Sequence, residues 1–180
     1  LGYEPLPEAN RNWLRQYLDD AEIDKYFKYS PKVNRHYFVH GDDDGVYFEG
    51  RSVTIGNDGE FTHQTPKVIS GGTKPKVIFG SWRGTHKLVL VEDVVSAIKV
   101  SRHCGAMPLF GASISTDLML WIAGLAAVQE VIIWLDSNKY NVAVEAAHKM
   151  GKLKLTRVIC TDLDPKQVSD DEIRELVELP

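Results

Sequence analysis

The sequence predicts an α/β protein: a short helical segment, then a small, basic, mostly antiparallel β subdomain, then an open four-stranded parallel sheet flanked by helices. Three observations predict it. Apolar residues at helical spacing open the chain, over residues 8–28. Short β-rich runs separated by Asp-Gly and Gly-Gly turn signals fill residues 34–82. From Lys87 onward, compact apolar runs alternate with helical stretches, the pattern of parallel strands buried on both faces. A length of 180 residues suffices for one well-buried domain or for two small modules sharing a boundary.

Residues 8–28 read as two short helices. Trp13, Leu14, Tyr17 and Leu18 form one apolar stripe and Ile23, Tyr26 and Phe27 the next, with Asp19 and Glu22 at capping-box spacing between them. This helical segment is assigned to residues 1–33. Strands are expected over 35–40, 45–49, 52–55, 60–63, 67–69 and 76–79, and the β-rich subdomain to residues 34–84. In the remaining segment, 85–180, runs 88–91, 107–110, 131–135 and 156–160 read as parallel strands. Helices are expected over 94–103, 116–127 and 140–150, the last stopped by Gly151. A closing helix begins at Ser169, at capping-box spacing from Glu172, and runs to about Leu179. Right-handed crossovers between these strands put helices on both faces of the sheet.

Charge and composition exclude several classes. With 21 Lys+Arg against 25 Asp+Glu, the formal charge of −4 is not that of a polybasic chain. No apolar run approaches the roughly 20 residues a membrane helix needs, and no signal peptide opens the sequence. Two cysteines, Cys104 and Cys160, exclude a disulfide framework and a four-cysteine zinc module. The expectation is a cytoplasmic, reducing-compartment protein without a membrane partner. Opening on Leu1 rather than Met, the chain reads as a processed or excised piece of something longer. Charge is also uneven. Residues 67–102 hold Lys67, Lys74, Lys76, Arg83, Lys87, Lys99 and Arg102 against only Glu92 and Asp93, which suits a polyanionic partner or, equally, a cluster of solvated lysines.

In a parallel sheet, ligands bind beyond the carboxyl ends of the strands. The first expected strand ends in Glu92-Asp93, the second in Gly111-Ala112-Ser113, the third in Asp136-Ser137-Asn138 and the fourth in Thr161-Asp162-Leu163-Asp164. Three of the four ends therefore deliver carboxylates to one edge. Such oxygen donors suit a hard divalent cation that also meets a phosphate substrate; the alternative is that Asp and Glu stand there as helix caps.

Glu after the first strand, an Asp-x-Asp-like Asp136-Ser137-Asn138 after the third and Asp164-Pro165 after the fourth resemble the TOPRIM family, and within it bacterial and bacteriophage replicative primases. The likeness extends upstream through Gly50-Arg51-Ser52, Pro66-Lys67-Val68, Lys76 and Phe79-Gly80, and includes Leu109 to Ser113 after the second strand. It covers roughly residues 35–178. Three positions depart from the family pattern. Asp93 and Ser96 stand where its first motif has Gly and, four residues after the Glu, Asp; Asn138 stands for the second acid of Asp-x-Asp. The family's zinc-binding module is absent from these residues.

The resemblance implies a primase core that joins ribonucleoside triphosphates on a single-stranded DNA template with Mg²⁺ or Mn²⁺. A replicative helicase or helicase domain is a further implied partner, and the host cytoplasm the setting if the protein is viral. Glu92 and Asp136 are then the catalytic candidates; Glu92, Asp136, Asn138 and Asp164 the metal ligands, with Asp162 a weaker one and Asp93 a replacement carboxylate. Arg51, Lys67 and Lys76 would contact template or nucleotide phosphates. A TOPRIM metal-dependent nuclease, or a nucleic-acid- or nucleotide-binding module impaired in catalysis by Asn138 and Ser96, are the alternatives. Other features read as structural: His103 and Cys104 lack a second pair at zinc spacing, Cys160 falls in an apolar run as a buried hydrophobe, Trp121 and Trp134 are core candidates, and Ser113 and Ser115 sit where helix caps fall. Gly71-Gly72-Thr73-Lys74 lacks the spacing and following helix of a phosphate loop.

Overall fold

The computed structural model describes residues 4–42 and 45–179; Leu1 lies outside them. The chain divides into two compact units, Leu1–Pro75 and Lys76–Pro180. Residues 76–84, grouped by sequence with the β-rich subdomain, fall in the second unit, where Phe79 forms an isolated antiparallel bridge with Ala106.

The first unit opens with α1 (Glu8–Arg15) and α2 (Asp20–Tyr26). The expected capping box is present: the Glu22 amide donates to Asp19 Oδ1 at 2.8 Å, and the Asp19 amide to Glu22 Oε2 at 3.0 Å. The second apolar stripe does not continue as helix. Phe27–Ser30 is strand β1, paired antiparallel with β2 (Arg35–Asp42) in the register Phe27 to Phe38. The hairpin overrides the helical spacing because Phe27 and Tyr29 are both buried as strand residues. Strand β3 (Gly45–Arg51) pairs with β2, and β6 (Val68–Gly71) with β3, giving a four-stranded antiparallel sheet in the order β1-β2-β3-β6. The short strands β4 (Thr54–Ile55) and β5 (Phe61–Thr62) form a separate ribbon. Gly50 is needed where it stands, since a Cβ there would meet the Tyr37 ring lying across it.

The second unit begins with the short helix α3 (Trp82–Thr85) and contains four parallel strands: β7 (Lys87–Val91), β8 (Gly105–Pro108), β9 (Glu130–Ile133) and β10 (Leu155–Val158). They lie in the order β10-β9-β7-β8. Helices α4 (Val94–Val100), α5 (Thr116–Ala123), α6 (Tyr140–Met150) and α7 (Asp170–Glu178) connect and close them. The fold is therefore the expected one, an antiparallel sheet followed by a Rossmann-like parallel sheet with helices. Leu88 and Leu90 of β7 join Met107, Val131 and Ile133 in a buried cluster with Met119 and Ile122 of α5 and Ala143 and Met150 of α6. The alternate residues Val89 and Val91 are equally buried, and α4 packs against β7 and β8.

Trp134 is fully buried, while Trp121 packs only partly buried against the cluster. Ser115 caps α5, accepting from the Leu118 amide at 3.2 Å, and Ser169 caps α7. Cys160 departs from expectation: β10 ends at Val158, so Cys160 lies beyond the sheet and is exposed.

Candidate active site

The strand order determines where the site can lie. β7 connects through α4 to β8 on one side of it, whereas the next connection returns through α5 to β9 on the other side. The order reverses between β7 and β9, and such a switch point opens a crevice at the carboxyl ends of the strands. Glu92 follows β7 directly, and Asp136 follows β9 by three residues. The loop after β8 anchors the first of these, because the Gly111 amide donates to the Glu92 carbonyl at 3.1 Å. Gly111 has φ 131°, a conformation that favours glycine.

Two buried carboxylate oxygens here, Glu92 Oε2 and Asp136 Oδ1, have no hydrogen-bond partner, nor does the hydroxyl of Ser96. Buried polar atoms are nearly always paired, so these exceptions single the site out. Burial pushes the Asp136 carboxyl up to about 6, with Asp164, Glu92 and Asp93 adding to the rise and Lys166 opposing it. Burial also raises Glu92, helped by Asp93 and Asp164 against the pull of Lys139 and Lys166. The four acids are thus one electrostatic cluster.

Asp93 and Asp164 are satisfied differently. Asp93 Oδ1 accepts from the Ser96 amide at 2.9 Å, capping α4, and Oδ2 from Lys166 Nζ at 2.8 Å. This commits Asp93 to structure and removes it as a free replacement carboxylate. Asp164, on the turn before Pro165–Gln167, accepts from Lys166 Nζ at 3.0 Å, and its amide donates to Gln167 at 3.0 Å. Burial opposes the Lys166 charge, but Asp93, Asp136 and Asp164 outweigh it and raise the ammonium pKa. Asn138 lies exposed in the turn Ser137–Lys139, and Asp162 is exposed in the loop after β10. Among the described residues, no three His, Cys, Asp or Glu side chains stand together as a ready metal-binding group.

The basic candidates differ in what they touch. In the first unit, Arg51 ends β3 opposite Val68, next to Lys67, with its guanidinium 4.9 Å from the Trp13 ring centroid. The Lys67 side chain is exposed, and its carbonyl accepts from Arg35 at 3.2 Å. In the second unit, Lys76 lies 5.6 Å from the Trp121 ring centroid. Part of the basic stretch is internal: Lys87 bonds the Val177 carbonyl at 2.7 Å, Lys99 the Lys166 carbonyl at 2.9 Å and Arg102 the Asp170 carboxylate at 2.8 Å. Those three residues hold α7 and the loop before it, so less of the stretch is left for a polyanion than its charge suggests.

Sequence reasoning passed over Lys166, whose partner Asp93 is 73 residues away. It also passed over the buried group of the first unit, in which the His36 ring stacks on Trp13 with centroids 5.5 Å apart and accepts from Asn10 at 2.9 Å.

The fold is similar to that of the Aquifex aeolicus primase, in a crystal structure of its zinc-binding and RNA polymerase domains, with a TM-score of 0.72 and 13% identity. The likeness covers 95% of this chain and 55% of that one, so the chain spans about half the length of that structure. No family model and no curated protein matches the chain. Among the described residues, no helix is long and apolar enough to cross a membrane.

Proposed function

We propose that the chain is the catalytic core of a DNA primase of the TOPRIM class, of bacteriophage or bacterial origin. It would synthesise short RNA primers on single-stranded DNA by metal-dependent nucleotidyl transfer. One observation carries this reading: a fold similar to that of a primase has, at its topological switch point, two buried carboxylate oxygens without a partner, on Glu92 and Asp136.

The residues fit a divalent cation. All the donors are hard oxygens, which suit Mg²⁺ or Mn²⁺, and the two unpartnered atoms are of the kind a cation satisfies. Glu92 and Asp136 would hold it, with Asn138 and Asp164 as further donors. When bound, such an ion supplies positive charge for the triphosphate and lowers the pKa of the attacking 3′-hydroxyl. The chain's own residues set the geometry: Gly111 fixes the backbone of Glu92, and Asp93 caps the helix that follows it. Arg51, Lys67 and Lys76 would meet template or nucleotide phosphates. A replicative helicase would be a further partner, and the cytoplasm, the host's if the source is viral, the place of action.

The test is a primer-synthesis assay on single-stranded DNA with labelled ribonucleotides and Mg²⁺ or Mn²⁺. Short oligoribonucleotides that vanish in Glu92→Gln are expected. Degradation of the DNA would instead identify a nuclease, and salt-sensitive binding without chemistry a binding module.

A further inference from the structure

Lys166 is a charged group that the proposed reaction leaves without a role. Its side chain is 10% exposed, and its Nζ donates to Asp93 Oδ2 at 2.8 Å and Asp164 Oδ2 at 3.0 Å. Its backbone is held as well, because Lys99 Nζ of α4 donates to the Lys166 carbonyl at 2.9 Å. The turn carrying Lys166 is thus tied to α4 in both directions. The ammonium cannot swing into solvent without breaking two charge-assisted bonds in a place where unpaired charge is costly.

The four acids divide accordingly. Asp93 and Asp164 are neutralised from within the chain, and the second oxygen of Asp93 caps α4. Glu92 and Asp136 each keep a buried oxygen with no partner. The unmet need for positive charge therefore lies at one pair of acids. A divalent cation at Asp164 would have to share that carboxylate with an ammonium already bonded to it, and the like charges would repel at close range.

Resting on the metal-dependent reading above, we propose that Lys166 is a built-in cation of the acidic site, so that the chain binds one divalent cation, at Glu92 and Asp136, and none at Asp164. Asp164 then serves to hold the lysine rather than a metal, which narrows the ligand set named above.

The experiment is a Mn²⁺ titration of the full chain, read as bound ions per chain by electron paramagnetic resonance of the free ion. The wild type should bind one, and Asp136→Asn, which removes a ligand charge, should weaken that site by about tenfold or more. Lys166→Met should bind a second ion. Because Lys166→Met takes the ammonium away from Asp93 and could unfold the chain, the double variant Asp93→Asn, Lys166→Met is titrated beside it. Asn still caps α4, one charge of each sign is removed, and two ions are again expected. Two ions on the wild type, or a single ion on the folded double variant, would overturn the role of Lys166 and leave the metal-dependent reading intact. No Mn²⁺ on the wild type would remove both.

Discussion

In the first unit, His36 is 2% exposed, stacked on Trp13, with Nδ1 accepting from Asn10, and the buried Arg35 donates to the Pro66 and Lys67 carbonyls. In the second unit, Glu92 and Asp136 are equally polar groups in a partly buried place, yet each keeps a buried oxygen with no partner. The first arrangement is complete: each named group has its donor, acceptor or ring, so its chemistry is consumed in holding sheet to helix. The second is incomplete, and Lys166, whose charge both acids feel, is bound to the neighbouring Asp93 and Asp164. A buried polar group costs about 1–3 kcal/mol when left unpaired. Among the described residues the two unpaired carboxylate oxygens both lie at the strand-order reversal, which is why the proposed site is placed there.

The contrast is tested most strongly at Glu92. Glu92→Gln keeps the shape and removes the charge, so primer synthesis should fall by about 10²–10³-fold, the range for losing one key electrostatic group. DNA binding should persist, and the melting temperature should not drop, since the variant removes a charge that burial disfavours and whose Oε2 has no hydrogen-bond partner. A variant that melts earlier would show that Glu92 belongs with the satisfied groups of the first unit.

His36 tests the other side. Burial, with Arg51 and His63 adding to it, pushes its pKa down to about 3, well below the ordinary 6.5. A depressed pKa contributes stability above the unfolded value and loses it as pH falls toward the folded one, because only the unfolded chain takes up the proton. Between pH 7 and pH 5 the wild type should therefore lose about 2 kcal/mol more unfolding free energy than His36→Gln. Urea titrations at the two pH values measure this, and equal losses would mean that the ring is protonated in place.

Ser96 gives a smaller effect of opposite sign. It is fully buried in α4 with its hydroxyl unpartnered, while its amide is capped by Asp93. Ser96→Ala removes an unmet donor and favours the helix, so unfolding should become about 1 kcal/mol harder. A loss of stability would reveal a partner for the hydroxyl and place Ser96 among the satisfied groups.

How much of this was readable beforehand follows from the range of the interactions. The parallel strands could be read because Leu88–Leu90 and Val131–Ile133 are apolar on both faces, a local property of the chain. The caps at Asp19 and Ser169 were readable for the same reason: their partners lie three residues on. Strand β1 was not, since Ile23, Tyr26 and Phe27 keep helical spacing and only pairing with Arg35–Phe38 turns the chain into a hairpin. The strand expected over 76–79 does not form, and of those residues only Phe79 bridges to Ala106. At the site, the acids were visible as strand-end residues. That Asp93 is committed to Lys166, while one Glu92 oxygen is left without a hydrogen bond, depends on contacts between residues far apart in sequence, and no spacing announces them.

The smallest expected effect separates two neighbouring cations. Arg51 rests over the Trp13 ring, so removing it disturbs the packing of the first unit as well as any phosphate it meets. The Lys67 side chain is exposed, and Lys67→Ala retains the backbone carbonyl that accepts from Arg35 and from the Ser52 amide. Lys67→Ala should therefore leave the melting temperature unchanged while weakening single-stranded DNA binding. If Lys67 neutralises one phosphate, the slope of log binding constant against log salt should flatten by about 0.7, the contribution of one contact to a single strand. An unchanged slope would remove Lys67 from the phosphate contacts and leave Arg51, already engaged with Trp13, as the one basic candidate of the first unit.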